Sequence, residues 1–362
     1  MTIFLQDQDS RVKADIHSTA ERMLAVPMAS VQRLGGGLNS RVYQLTAANG
    51  ARYALKLYFR ELSAARERLD AEYSGLCFLW EHGIRSIPQP LAVDQEQGCA
   101  IYEFIDGQKI FADGATGQDI ERAAEFLAEL KGLKEFGDNF PPASEAYFCA
   151  ENIYGNLRAR INRLAGVDRT GEEHDALQSY LKDDFQPFLE TLTGWSKKEF
   201  SKAGMVFSKN IGREERTLSP SDFGFHNALR DKTGRVVFLD FEHFGWDDPA
   251  KMIADFLLHP AMALGRGLKQ QFVTSVLGLF KESKTLASRM KILYPVFGLK
   301  WCLIFLNEFI PNDFRRRNFA HTEAVNKQGL LQGQLAKARD MLNEMKRVYR
   351  EFPYKTDEGL RG

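Results

Sequence analysis

Residues 218–242 read LSPSDFGFHNALRDKTGRVVFLDFE, and this stretch decides the fold. It carries Asp222, Asn227 five residues on, and Asp240 thirteen further. Between the last two, residues 228–239 have the pattern of a β-hairpin. Asp231-Lys232-Thr233-Gly234 supplies the turn, and Val236-Val237-Phe238-Leu239 is a β-branched and aromatic second arm. A hairpin brings its two ends together. Asn227 at the start and Asp240 at the exit are therefore expected to face one space, with Asp222 on the loop just before. Oxygen ligands from Asn and Asp, with positions left open for phosphate oxygens and water, suit Mg²⁺.

Upstream, residues 30–34 and 41–46 read as strands joined by Gly35-Gly36-Gly37-Leu38-Asn39-Ser40. Consecutive glycines let backbone N–H groups approach an anion without side-chain obstruction, although a glycine-rich hairpin by itself is more often only a turn. Residues 52–58 form the next strand, with Tyr53-Ala54-Leu55-Lys56 at its centre. Side chains two apart share a strand face, so Ala54 and Lys56 point one way while Leu55 and Leu57 pack the other way. Residues 63–81 have helical periodicity and offer Glu67, Glu72 and Glu81 as carboxylates.

The D-x₄-N of Asp222 and Asn227, followed by Asp240, resembles the catalytic and metal loops of the protein-kinase-like fold. The closer resemblance is to the aminoglycoside phosphotransferase and choline kinase family of small-molecule kinases. The second loop reads Asp240-Phe241-Glu242 rather than the D-F-G of protein kinases. Gly245-Trp246-Asp247-Asp248-Pro249 with Ile253-Ala254-Asp255 is similar to that family's G-D-P-x-x-D-L-A segment. The string GGGLNSRVY at 35–43 resembles its nucleotide loop, and Tyr53-Ala54-Leu55-Lys56 the kinase V-A-I-K motif. The likeness covers about residues 30–110 and 215–260.

The resemblance implies an α+β, bilobal protein-kinase-like fold. Residues 1–105 are expected to form a small antiparallel-sheet N-lobe with one pairing helix, preceded by a helical extension over 1–28. Residues 106–362 are expected to form a larger, mostly helical C-lobe that binds the acceptor. The cofactors implied are ATP, with GTP the alternative, and Mg²⁺. By the same resemblance Gly36, Asn39 and Ser40 cover the phosphates, Ala54 lies against the base, and Lys56 holds the α- and β-phosphates. Glu72, whose context RLDAEYSGLCFLWEHG matches the pairing helix, steadies Lys56. The Glu103 carbonyl and Ile105 N–H read the base at the inter-lobe hinge. Asn227 and Asp240 carry the metal, and Asp222 is the catalytic carboxylate that aligns an acceptor hydroxyl. Asp255 is expected to brace the catalytic loop through hydrogen bonds from its backbone.

One position departs from the family pattern: Pro220 stands where a His usually precedes the catalytic Asp by two. A nucleotide-binding pseudokinase or scaffold is therefore the competing expectation. The second loop lacks D-F-G, A-P-E is absent, and a helix starts at Pro249 shortly after Glu242, which speaks against a protein kinase.

Bulk properties agree with a two-lobed globular chain of 362 residues. A net charge of zero gives no electrostatic case for nucleic acid or an anionic membrane. The amino terminus lacks a charged-then-apolar signal pattern, and no apolar run reads as a membrane span, so a cytoplasmic location is expected. Cys77, Cys99, Cys149 and Cys302 are scattered among apolar neighbours and are expected to be reduced core thiols. Helical periodicity dominates after Gly117, with Pro187 expected to break or kink one helix. The acceptor is a small-molecule hydroxyl of unspecified kind. For a quaternary ammonium, Trp246, Trp301, Phe305 and Phe309 are candidate cage residues, although such spacing more often marks core.

Overall fold

The structure is a computed structural model, and it describes residues 2–36, 40–58, 65–168, 171–318 and 326–354. The chain starts with α1 (Thr2–Leu24), β1 (Met28–Gly36), β2 (Ser40–Ala47), β3 (Arg52–Tyr58) and α2 (Ala65–Glu81). Next come β4 (Pro90–Asp94), β5 (Cys99–Glu103), β6 (Gly107–Lys109), α3 (Gly117–Gly132), α4 (Ala150–Ala165), α5 (Glu172–Ser179) and α6 (Gln186–Lys202). The decisive stretch contributes β7 (Thr217–Ser219), β8 (Ala228–Asp231) and β9 (Val236–Phe238), with β10 (Gly245–Asp247) and α7 (Pro249–Leu258) after it. The chain closes with α8 (Arg266–Leu279), α9 (Leu286–Phe305), α10 (Pro311–Asn318) and α11 (Lys327–Val348).

Contacts divide the chain into two compact units, residues 1–110 with 227–244, and residues 111–226 with 245–362. In the first, five antiparallel strands pair in the order β1-β2-β3-β5-β4. The period-2 pattern of β3 works out as its sequence requires: Leu55 and Leu57 pack into an apolar cluster with Ile16, Ala20, Tyr43, Leu45 and Ile101. The stripe of α1 thus covers one sheet face, and Ala54, Lys56 and Tyr58 are left for the other. The hairpin β8–β9 belongs to this unit and joins β6 in a three-stranded sheet. Its turn is fixed by Asp231, whose carboxylate accepts from the Thr233 N–H at 2.9 Å and hydroxyl at 2.7 Å, and from the Arg235 N–H at 3.0 Å. The Thr233 hydroxyl and these amide bonds draw the Asp231 carboxyl down to about 2. Gly234 takes the positive φ of 85° that closes the turn.

The second unit is helical. Thr116 caps α3 and exchanges hydrogen bonds with Asp119, a T-x-x-D box that starts the helix at Gly117. Pro187 does not break its helix. Residues Tyr180–Phe185 widen into a π turn, and α6 begins at Gln186 with Pro187 in its first turn, where a missing N–H leaves no partner unsatisfied. Helix α9, continued by a 3₁₀ turn to Phe309, corrects the expectation about apolar runs. Leu286–Phe309 is long and apolar enough to cross a membrane, yet 89 % of its apolar window is buried inside the unit, which makes it a core helix. Cys99, Cys149 and Cys302 are buried, Cys77 is part-buried, and all four are free thiols.

The β7–β10 ladder holds the base of the Asp222 loop, and its closest approach is at Gly245. A Cβ there would lie 2.4 Å from the Pro141 carbonyl oxygen and 2.7 Å from the Ala143 nitrogen. Both backbone groups are fixed by hydrogen bonds to Trp246, at 2.8 and 2.9 Å. Gly245→Ala is therefore expected to lower stability by about 1–3 kcal/mol, read as a lower midpoint in urea unfolding.

Candidate active site

In the first unit Lys56 rises from β3 among three carboxylates. Its Nζ lies 2.6 Å from Glu72 Oε2, 2.7 Å from Asp240 Oδ1 and 4.0 Å from Glu242 Oε2. Lys56 is 8 % exposed, so its ammonium has almost no water to fall back on. Burial alone would push its pKa down; the charges of Asp240, Glu72 and Glu242 outweigh it and hold it well above the usual lysine value. Glu72, in turn, is pushed up, first by burial and then by the Asp240 charge, against the pull of Lys56. The two directions are compatible. One ammonium gains from three carboxylates, while each carboxylate feels the others.

Glu72 comes from the centre of α2, and this geometry selects it over Glu67 and Glu81 as the partner of Lys56. The Tyr58 hydroxyl also donates to Glu72. Burial, then the Glu72 charge, keeps this phenol protonated well above its usual range, so it is a permanent donor. Asp240 leaves the hairpin with a positive φ of 66°, and the Leu239 N–H bonds the Asn227 carbonyl at 2.8 Å, which sets Asn227 beside the exit that carries Asp240. Glu242 and Tyr58 are members of this group that motif reading passed over. The signal for Tyr58 was its place two residues after Lys56 on one strand face, and for Glu242 the third position of D-F-E.

Of the remaining nucleotide candidates, Gly36, Ser40, Ala54 and Glu103 lie on the same sheet. Gly36 pairs with Arg41 where β1 ends, and Ser40 opens β2 opposite Tyr58 and is buried. Asn39 lies outside the described residues. Ala54 pairs with Tyr102 and Gln44 at the centre of the sheet. Glu103 ends β5, where its N–H bonds the Gln89 carbonyl at 2.8 Å, and Ile105 follows as a buried residue.

In the second unit Asp222 follows a γ-turn. Its N–H bonds the Pro220 carbonyl at 2.9 Å, and Ser221 between them has φ 69°. Ser221 is pinned from three directions: its N–H donates to Ser219 Oγ at 2.9 Å, its hydroxyl donates to the Ser144 carbonyl at 3.0 Å, and Lys251 Nζ reaches that hydroxyl at 3.2 Å. Lys251 is buried on α7 and ion-paired to Asp247 at 2.7 Å and Asp255 at 3.3 Å. Burial pushes Asp247 up to about 6, and the pairing with Asp247 and Asp255 overrides burial to raise Lys251. The expectation for Asp255 is corrected here. Its carboxylate sits one turn beyond Lys251 and takes that ammonium and the Trp301 indole N–H, at 3.2 Å, rather than loop backbone. Loop bracing passes through Lys251 instead. The next residue, Phe223, stacks between Phe126 and Phe256 with centroids at 5.9 and 5.5 Å and anchors the loop in the core.

Asp222 also meets a residue that motif reading missed. His226 Nε2 lies 3.0 Å from Asp222 Oδ1, and the His226 ring stacks on His259 at 3.6 Å. The one sequence signal was a histidine unclaimed by any motif immediately before Asn227. The aromatic cage does not form. Trp246, Phe305 and Phe309 are buried core residues, and Trp301 alone stands near this group, edge-on to His259 at 4.8 Å.

This fold is the α+β protein-kinase-like fold, a five-stranded antiparallel sheet followed by a mostly helical region, and it is shared with solved phosphotransferases. The model of the phosphotransferase enzyme family matches residues 30–273, and the chain belongs to that family. Spectinomycin phosphotransferase, solved with ADP and spectinomycin, is 12 % identical over 92 % of this chain and 98 % of its own, with TM-score 0.63. Amicoumacin kinase, solved with AMP-PNP, Ca²⁺ and Ami, is 14 % identical over 95 % and 98 %, with TM-score 0.54. A choline/ethanolamine kinase family protein from Mesorhizobium loti is 16 % identical over 90 % and 93 %, with TM-score 0.51. No curated protein sequence matches the chain.

His259 gives the site a pH signature. Burial first, then the neighbouring His226, lowers its pKa from 6.5 to about 4. Between these values the unfolded chain binds a proton that the folded chain does not, so stability falls as pH drops. The slope from this residue is at most about 1.4 kcal/mol per pH unit. His259→Gln is expected to flatten the fall of the urea midpoint between about pH 6.5 and pH 4; an unaltered slope would contradict the neutral buried state of His259.

Proposed function

We propose that the protein is a small-molecule kinase that transfers the γ-phosphate of ATP, or of GTP, to a hydroxyl of a small metabolite or antibiotic. The observation that carries this reading is the Lys56 ammonium locked between Glu72 and Asp240 in a chain of the phosphotransferase enzyme family. Phosphoryl transfer needs positioning and charge neutralisation more than covalent participation, and the residues divide along those lines. Lys56, fixed by Glu72, holds the α- and β-phosphates. Gly36, Asn39 and Ser40 cover them, Ala54 lies under the base, and backbone groups of Glu103 and Ile105 read its edge. Asp222 accepts a hydrogen bond from the acceptor hydroxyl and takes its proton.

The donor set fits Mg²⁺. Glu72, Asp240 and Glu242 present oxygens within 4.8 Å of one another around a single ammonium, which leaves excess negative charge of the kind a hard dication neutralises. Asp240, whose side chain is 36 % exposed, and Asn227 are the residues that would hold the ion. When bound, it offsets charge on the phosphate oxygens. Relatives of the same fold solved with ADP or AMP-PNP support nucleotide use. The partners of this reading are the nucleotide and a small hydroxyl acceptor, with no nucleic acid or membrane, acting in the cytoplasm.

The test is Mg²⁺-dependent ADP release from ATP against pooled hydroxyl-bearing metabolites and aminoglycosides, with Asp222→Asn and Asp240→Ala alongside. Loss of the base is expected to lower turnover by about 10²–10⁴-fold, and loss of Asp240 to abolish the Mg²⁺ dependence. Turnover that survives both substitutions sinks the assignment. Without turnover in any pool, Mg²⁺-ATP binding keeps the kinase reading and extends the acceptor search, and absence of binding sinks it.

A further inference from the structure

The contact between His226 and Asp222 is a built arrangement. The His226 side chain is 12 % exposed, and its ring lies against the chain at Gly224, where a Cβ would sit 2.7 Å from Nδ1 and 2.8 Å from Cε1. Glycine at 224 is thus what admits the ring. Its far face is covered by His259, parallel within 6°. Trp301 closes the stack from the edge at 89°, and its indole N–H is held by Asp255. The chain of supports runs Asp222, His226, His259, Trp301, Asp255 and Lys251, and returns to the Asp222 loop at Ser221.

Hydrogen bonding settles the tautomer. His226 Nδ1 is buried and has no partner, while Nε2 faces the carboxylate. A proton on Nδ1 would leave a buried N–H unsatisfied and set a lone pair against an anion. A proton on Nε2 donates to the carboxylate and leaves at Nδ1 only an unpaired acceptor, the smaller cost. His259 Nδ1 accepts the Ala261 N–H at 3.2 Å. The three side chains place ligand atoms within 4.8 Å of one another, but parallel rings direct their lone pairs side by side rather than to one point, so they do not make a metal centre as they stand.

We propose that His226 is the positioning residue for Asp222, orienting the carboxylate from four residues after it in a chain that has proline two residues before it. The proposal rests on the kinase reading above. The Nε2–H bond fixes the plane of the carboxylate. In the transfer, the acceptor O–H proton passes to Asp222 and the acceptor oxygen bonds the γ-phosphorus. The bond from that phosphorus to the β,γ-bridging oxygen breaks, and its electron pair leaves with ADP. His226 keeps its proton throughout. His259 and Trp301 act only on the angle of the His226 ring.

The test uses the full chain and Mg²⁺-ATP, with water as the phosphate acceptor, and reads ADP release. His226→Ala is expected to lower kcat by about 10- to 100-fold with the KM for ATP within twofold, because a base that loses its orientation still binds nucleotide normally. His226→Gln, which keeps an N–H donor, is expected to recover a substantial part of kcat. Equal losses in both variants together with a lower Tm would mark His226 as structural only, and an unchanged kcat in His226→Ala would also overturn the proposal. Long-range ¹H–¹⁵N imidazole spectra need no turnover: they are expected to show His226 as the Nε2–H tautomer and its Nε2 signal shifted in Asp222→Asn. The other tautomer, or a signal unmoved by Asp222→Asn, overturns the proposal. Spectra as expected in a chain that neither binds Mg²⁺-ATP nor turns it over would overturn the kinase reading and leave the His226–Asp222 orientation standing.

Discussion

An ammonium taken out of water has to be surrounded by carboxylates, and each compact unit is tied together at such a group. Desolvating a lysine costs several kcal/mol, and only close, well-placed anions repay it. In the first unit Lys56 joins a central strand, the α2 helix and the hairpin exit through Glu72, Asp240 and Glu242. In the second, Lys251 joins α7 to the turn before Asp222 through Asp247, Asp255 and Ser221. Removal of one member leaves an uncompensated buried charge, so these groups fix loop conformation more strictly than apolar packing could. The excess of carboxylates over ammonium differs between them in use. Around Lys56 one member, Asp240, reaches solvent, whereas the carboxylates around Lys251 are buried or nearly so. The first is open to a phosphate or a dication; the second is a closed brace.

Much of this was legible in the sequence because it rests on local periodicity and on motif spacing. The alternation Ala54, Lys56 against Leu55, Leu57 told which way the lysine faces, and the Asp231–Gly234 turn told that Asn227 and Asp240 sit at one end of a hairpin. What sequence could not give was pairing between positions far apart. Lys251 and Ser221 are thirty residues apart, and Trp301 meets Asp255 forty-six residues away. Such contacts follow from helix packing rather than from spacing. The π turn at Tyr180–Phe185 is of the same kind: proline announces a disturbance, but the surrounding helix contacts decide that it is absorbed rather than broken. Family resemblance misled at Asp255 because it carried a role over by position, while the lysine four residues earlier had taken the loop contact.

Backbone strain gives an independent reason to look at the stretch 218–242. Among the described residues five non-glycine positions have positive φ, and two of them, Ser221 and Asp240, fall there. Such conformations cost of order 1–3 kcal/mol each and persist where the surroundings over-determine them. Ser221 is over-determined by Ser219, Ser144 and Lys251, and Asp240 by its bond to Lys56. Each strained residue lies at, or one position from, a carboxylate assigned a chemical role. A histidine two residues before Asp222 is one way to hold such a loop. Here proline stands at that position, where its fixed φ stiffens the approach to the γ-turn, while Lys251 holds the turn itself and His226 meets the Asp222 carboxylate from the far side. The loop is therefore held by several residues at once, and strain sustained by so many contacts is what a loop that positions a carboxylate requires.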